Sequence, residues 1–364
     1  MRVIISGGGS GGHIFPAIAI ANAIKKIEPS TEFLFVGAKG KIEMEKVPKA
    51  GYPIKGLWIS GIDRKLTFRN MVFPFKLVSS LFNSSRIIRS FRPDIAVGVG
   101  GFASGPLLYT AARKGVPTVI QEQNSYPGIT NKLLASKVDK ICVAYEGMER
   151  FFPAEKIKLL GNPVRREIFE NDRQRSEVLE GMGLNPDNKT VLVFGGSLGA
   201  RTLNNAMASK ANVMTGMKEV NWIWQVGKLY HTEFKRLKID QAPNIVMLPF
   251  IDDMPGVYKA ADVVVCRAGA LTISELQVVG KAAILIPSPN VAEDHQTKNA
   301  MALVEKGAAK IVVDNRAVNE LMDEILSLLY DTKECQKLSE EIKKLGKKNA
   351  AMKIAEVIID IAKK

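Results

Sequence analysis

A strand-like run that breaks into clustered glycines and then opens a helix occurs twice in this chain. Val3-Ile4-Ile5-Ser6 runs into Gly7-Gly8-Gly9-Ser10-Gly11-Gly12-His13, after which Ile14, Ala17, Ile18, Ala21 and Ile24 keep helical spacing. Thr190–Phe194 runs into Gly195-Gly196-Ser197-Leu198-Gly199-Ala200-Arg201 in the same way. Glycines at such a turn let backbone approach a ligand and take up positive φ, and the following helix start offers N–H groups to an anion. A chain that does this twice is committed to βαβ units and parallel sheets.

Other short apolar runs extend each half. Glu32–Val36, Ile95–Val99, Thr118–Gln121 and Lys140–Ala144 join the first series; Trp222–Val226, Ile245–Leu248, Asp262–Cys266, Ala283–Ile286 and Lys310–Val313 join the second. The expected fold class is α/β: two Rossmann-like, doubly wound parallel-sheet domains facing across a cleft. At 364 residues the chain exceeds a usual single domain. The expected boundaries are 1–162 and 163–340, with the joint near Gly161-Asn162-Pro163 and a terminal helix over 341–364.

Charge narrows the partner. With 51 Lys and Arg against 37 Asp and Glu, the net charge is +14, which favours a polyanion: nucleic acid, an anionic membrane surface or a phosphorylated substrate. Cys142, Cys266 and Cys335 are widely spaced, form no Cys-x-x-Cys, and read as small buried hydrophobes in a reducing cytoplasm. With a strand-like run starting at Arg2, no signal peptide is expected, and no run of about 18 apolar residues predicts a membrane span.

Gly7, Gly9 and Gly12 satisfy the dinucleotide spacing G-x-G-x-x-G, which alone is a weak signal. That fingerprint expects an acid at the end of the second strand for a ribose, but here the strand ends Phe35-Val36-Gly37-Ala38-Lys39. The loop therefore reads as a phosphate or diphosphate site, and a dehydrogenase is disfavoured. His13, one of three histidines, is either a structural imidazole or a general base at the mouth of this loop. Gly98 to Pro106 forms a second cluster, readable as a tight turn or as an anion site. Cys266 to Glu275 is a strand end, a small-residue turn and a helix start; Glu275 either complements the helix dipole or accepts ribose hydroxyls. Glu293 to Asn299 is either a solvated loop or a set of amides and charges for sugar hydroxyls. No Asp-x-Asp pair occurs. A leaving diphosphate would then be met by helix dipoles and by basic groups such as Arg165, with no metal or other cofactor expected.

The segment from Arg64 to Pro93 carries seven Lys and Arg, no acid, and many interleaved apolar residues. Phe68, Arg69, Phe73, Phe75 and Lys76 are taken as a patch for an anionic membrane surface. The alternative is a core-facing helix with a basic edge. Helix-turn-helix, RNP and zinc patterns for nucleic acid are missing.

Taken together, the ordered motifs resemble the bacterial family that adds N-acetylglucosamine (GlcNAc) to lipid I, giving lipid II for peptidoglycan. The matches are Gly8 to Pro16, Gly98 to Pro106, Glu122-Gln123-Asn124, Gly161 to Arg165, Gly195 to Arg201, Phe250 to Met254, Arg267 to Glu275 and Asp294-His295-Gln296. Small departures are Ser10 for a frequent Thr, Gln121 for His and Cys266 for Ser.

The resemblance implies a GT-B fold whose last helix returns to the first domain. It implies UDP-GlcNAc as donor, bound mainly by the second domain. The Ile251 backbone would read uracil, Glu275 would hold the ribose, and Ser197 and Arg165 would serve the diphosphate. Asn124, Ala270, Leu271 and Gln296 would contact the sugar, with Thr272, Ile273 and Ser274 in the same stretch. Ser10, Gly11 and Gly12, counted with the donor site, would border the transfer point. Gly100, Gly101, Ser104 and Gly105 would border the acceptor diphosphate. The expected reaction is an inverting displacement with His13 as base, at the cytoplasmic face of the cell membrane. The competitors are a UDP-GlcNAc 2-epimerase of the same fold and a non-catalytic UDP-sugar or membrane-surface binding protein.

Overall fold

The structure, a computed structural model, describes residues 1–9, 11–61, 68–196 and 198–364, with residues 68–70 and 292 described by backbone alone. It divides into two compact units. One comprises Met1–Val164 with Lys348–Lys364, the other Arg165–Lys347.

The first unit holds a seven-stranded parallel sheet. Its strands are β1 (Arg2–Ser6), β2 (Glu32–Ala38), β3 (Ile54–Leu57), β4 (Ile95–Gly98), β5 (Thr118–Glu122), β6 (Lys140–Val143) and β7 (Ile157–Leu159), in the order β3-β2-β1-β4-β5-β6-β7. The helices that position the site are α1 (Gly11–Ile27), α2 (Glu43–Lys49), α3 (Phe68–Phe91), α4 (Ser104–Arg113) and α5 (Ile129–Leu134). On α1 the residues Ile14, Ala17, Ile20, Ala21 and Ile24 are buried, one face of a helix laid on the sheet. The terminal helix Ala350–Ala362 adds Ile354, Ala355, Ile358 and Ile359 to the same cluster.

The second unit holds a six-stranded parallel sheet of β8 (Lys189–Phe194), β9 (Val220–Gln225), β10 (Ile245–Leu248), β11 (Val263–Cys266), β12 (Ala282–Leu285) and β13 (Lys310–Ile311), ordered β10-β9-β8-β11-β12-β13. Its core gathers Trp222, Trp224, Val263, Ile284 and Ile325, all fully buried. In both sheets the strand order reverses beside the first strand, between β1 and β4 and between β8 and β11, while every pair stays parallel. Open α/β sheets bind ligands at the carboxyl ends of strands at such a switch point. The glycine clusters follow β1, β4 and β8, and the small-residue turn follows β11, so each flanks a switch point.

Two strands go beyond the sequence expectation. β3 and β7 are edge strands of four and three residues, Ile54-Lys55-Gly56-Leu57 and Ile157-Lys158-Leu159, only partly buried. Runs so short, carrying Gly or Lys, lack the buried alternation that marks a strand.

Candidate active site

In the first unit, glycine is required where two loops meet. A Cβ on Gly101, whose φ is +86°, would stand 2.2 Å from the Gly8 carbonyl oxygen. The loop after β1 and the loop after β4 therefore touch backbone to backbone. Beneath them lies Glu43, fully buried on α2. Its Oε2 accepts from the Gly9 N–H and its Oε1 from the Ala38 N–H, each at 2.9 Å. One carboxylate thus pins the glycine loop to the end of β2. The acid missing from the end of that strand in the sequence sits five residues beyond it, with both oxygens taken up by backbone.

His13 stands in the first turn of α1. Its Nδ1 lies 3.0 Å from the Gly8 carbonyl oxygen. A proton on Nδ1 makes this a hydrogen bond and puts the basic lone pair on Nε2. The ring edge packs on Gly100, where a Cβ would stand 3.0 Å from Nε2. Burial pushes the imidazole pKa below its ordinary value, opposed by the negative charges of Glu122 and Glu43 and by the Gly8 bond. A neutral imidazole of fixed tautomer can accept a proton at Nε2.

Glu122 ends β5 and is 1% exposed. Oε1 accepts from the Asn124 N–H and Nδ2, and Oε2 from the Gly128 N–H and Asn131 Nδ2. These donors satisfy a buried carboxylate and fix the 123–131 turn. Asn124, expected on the donor sugar, is half-buried and turned partly onto Glu122. Ser104 opens α4 fully buried, its hydroxyl without a hydrogen-bond partner among the described residues, and Gly105 follows it.

In the second unit the same close approach recurs. A Cβ on Gly199 (φ +84°) would stand 2.1 Å from the Val226 carbonyl oxygen. Glu275 lies on helix Ala270–Val279 and accepts from the Tyr258 hydroxyl at 3.1 Å. Burial raises its pKa to about 7, against the opposing pull of the exposed Arg165 guanidinium and the Tyr258 bond. Gly269 caps that helix, so the N–H groups of Ala270, Leu271 and Thr272 form its anion-attracting first turn. The Ile251 N–H is donated to Gln225 Oε1, and Gln296 Oε1 accepts from the Ser288 N–H. Glu293 and Asp294 precede Gln296 in left-handed conformations, φ 54° and 51°. Strain of that kind persists where surrounding structure enforces it and gathers at ligand sites.

The expected residues do not all reach the strand ends. Ile273 is fully buried with its N–H on the Gly269 carbonyl, and the Ser274 hydroxyl donates to the Ala270 carbonyl. Both serve the helix itself, since they fall one turn in on its core side. Ser10 and Ser197 lie outside the described residues, as do residues 62–67 and the side chains of Phe68 and Arg69. On α3, Phe73 packs against the core, whereas Met71, Phe75, Val78 and Phe82 are 67% to 70% exposed. Their i, i+4, i+7, i+11 spacing makes one unburied apolar stripe. Ile129 and Leu133 on α5 are also exposed. Lys76 donates to Ser60 Oγ and lies over the Trp58 ring.

Sequence reading passed over Glu43, Asn131, Tyr258 and Gln225. The only sequence signal for Gln225 is a polar residue closing an otherwise largely apolar strand. Among the described residues no three His, Cys, Asp or Glu side chains converge as a metal site.

Two family models match the chain: the glycosyltransferase family 28 N-terminal domain over residues 3–143 and its C-terminal domain over 190–357. A Bacteroides fragilis protein named UDP-N-acetylglucosamine–N-acetylmuramyl-(pentapeptide) pyrophosphoryl-undecaprenol N-acetylglucosamine transferase is 51% identical, over 100% of this chain and 96% of its own length. Among solved structures, Acinetobacter baumannii MurG is 28% identical with a TM-score of 0.79, covering 99% of both chains. The Neisseria meningitidis UDP-GlcNAc 2-epimerase bound to UDP-GlcNAc has a TM-score of 0.69 at 12% identity, over 99% of this chain and 100% of its own. At that identity the likeness is one of fold.

Proposed function

The chain belongs to glycosyltransferase family 28, and from that premise we propose that it moves GlcNAc from UDP-GlcNAc to the C4 hydroxyl of N-acetylmuramic acid in lipid I, giving lipid II. One observation carries this reading. Relatives named for the same transfer match at 51% identity from end to end, so both halves of the chain are accounted for. The epimerase likeness reaches only the fold.

The reaction is a single inverting displacement. The acceptor O4 attacks the anomeric carbon of the α-linked donor, the bond from that carbon to the diphosphate breaks, and a β(1→4) bond forms. His13 Nε2 takes the O4 proton, a contribution of about 100- to 10,000-fold for general bases. UDP leaves with its charge met by Arg165, by the loop at Gly195–Gly199 that carries Ser197, and by the N-terminal turn at Ala270–Thr272. Glu275 accepts the ribose hydroxyls. Because the Ile251 N–H is held by Gln225, uracil recognition falls to the Ile251 carbonyl or requires that bond to be shared. Asn124 and Gln296 hold the sugar, while Gly11, Gly12 and Ser10 border the transfer point. Gly100, Gly101, Ser104 and Gly105 receive the acceptor diphosphate at the start of α4.

The acceptor is lipid-borne, and the stripe of Met71, Phe75, Val78 and Phe82, with basic neighbours such as Arg86, supports peripheral docking on an anionic bilayer. Among the described residues no helix is long and apolar enough to cross a membrane. The surface concerned is the cytoplasmic face of the cell membrane.

The test is UDP release. It is expected only when donor and a short-chain lipid I analogue are both present; acceptor-independent conversion of the donor would overturn the reading in favour of an epimerase.

A further inference from the structure

Gln225 is the last residue of β9, paired with Phe194 of β8 on one side and Leu248 of β10 on the other. It is 4% exposed, and its amide spans the carboxyl edge of the sheet. Nε2 donates to the Gly196 carbonyl at 2.9 Å, and Oε1 accepts from the Ile251 N–H at 2.8 Å. One side chain therefore ties the glycine loop after β8 to the loop after β10.

Its neighbours make the frame stiffer. Asn204, on the helix Arg201–Ser209, donates from Nδ2 to the Val226 carbonyl and accepts from Trp224 Nε1. Gly227 and Gly199 touch backbone to backbone, a Cβ on Gly227 falling 2.2 Å from the Gly199 nitrogen. These contacts hold the loops after β8 and β9 together. Gln225 brings the Ile251 backbone into the same frame.

We infer that Gln225 is a positioning residue that holds the Ile251 backbone, where the edge of the base is read, at a fixed place relative to the diphosphate loop, and so sets selectivity for a uridine nucleotide. The inference rests on the donor reading above. A ligand with a charged diphosphate at one end and a base at the other needs its two contact loops in fixed register. A single buried amide bonded to both loops supplies that register, because a shift of either loop breaks one of its hydrogen bonds, the Ile251 bond being buried and the Gly196 bond part-buried.

Gln225→Leu removes both bonds at similar volume. Gln225→Glu keeps an acceptor for the Ile251 N–H but sets a carboxylate oxygen against the Gly196 carbonyl. UDP and CDP affinities would be measured by calorimetry, and donor and acceptor KM by turnover, with circular dichroism reporting the fold. In Gln225→Leu, UDP affinity and donor KM are expected to worsen about tenfold or more. The preference for UDP over CDP should shrink while acceptor KM stays unchanged. Gln225→Glu, which retains the Ile251 bond, should lose UDP affinity while keeping more of the base preference; it also serves if the leucine variant does not fold. An unchanged donor KM and UDP/CDP ratio in a folded variant would overturn the inference alone. A wild-type chain that binds no UDP would overturn the donor reading and this inference with it.

Discussion

His13 Nδ1 lies 3.0 Å from the carbonyl oxygen of Gly8, five residues back along the chain, on the far side of the glycine loop. The loop thus orients the imidazole that it leads into. His13→Ala should lower kcat by about 100- to 10,000-fold with little change in donor KM. His13→Gln, able to keep the Gly8 bond but unable to take a proton, should do no better. Steady-state kinetics on the two variants checks both. A variant keeping more than half of wild-type turnover would remove His13 as the base.

Donor binding should depend on pH through Glu275. Its pKa, raised to about 7, leaves the carboxyl largely protonated at pH 6 and ionised at pH 8. The ionised form accepts both ribose hydroxyls, so UDP-GlcNAc should bind more tightly at pH 8 than at pH 6. Glu275→Gln should bind weakly and with a flatter pH profile. The sign for stability is opposite. A carboxyl whose folded pKa exceeds its unfolded value contributes most below the unfolded pKa, and that contribution fades as pH rises through about 7. Calorimetric titration across this range, with the Gln variant as control, measures the first effect.

Removing the buried Glu43 carboxylate should loosen the first glycine loop. Glu43→Ala leaves the Gly9 and Ala38 N–H groups without their acceptor, at a cost of roughly 2–4 kcal/mol of stability. Denaturant unfolding reads that cost. In the folded fraction kcat should fall as well, since the loop carries Gly8, the partner of His13.

The glycine loops were legible because they need no partner to identify them: Gly101 and Gly199 stand where a Cβ would meet backbone 2.2 and 2.1 Å away. Glu43 was not, because its role arises from a helix folding back under a loop 34 residues earlier. Gln225 was hidden for the same reason, its partners lying 29 residues before it and 26 after it. The spacing of Met71, Phe75, Val78 and Phe82 is visible in the sequence. Which face of α3 turns inward is decided by tertiary packing, and Phe73 went to the core. β3 and β7 owe their existence to a neighbouring strand's free edge.

The stripe on α3 should bind membranes without taking part in chemistry. Replacing Phe75, Val78 and Phe82 by Ser should reduce sedimentation with anionic vesicles and leave turnover of a water-soluble acceptor analogue unchanged. Phe73→Ser, at a core-packed position, should instead lower thermal stability. Vesicle binding that survives the triple change would remove the stripe from the membrane account.

The most direct measurement is transfer of label from UDP-GlcNAc to a short-chain lipid I analogue, with and without a metal chelator. The account predicts labelled lipid in both reactions, with the new linkage β(1→4). Label remaining on the nucleotide as an epimerised sugar, or no product of any kind, would contradict it.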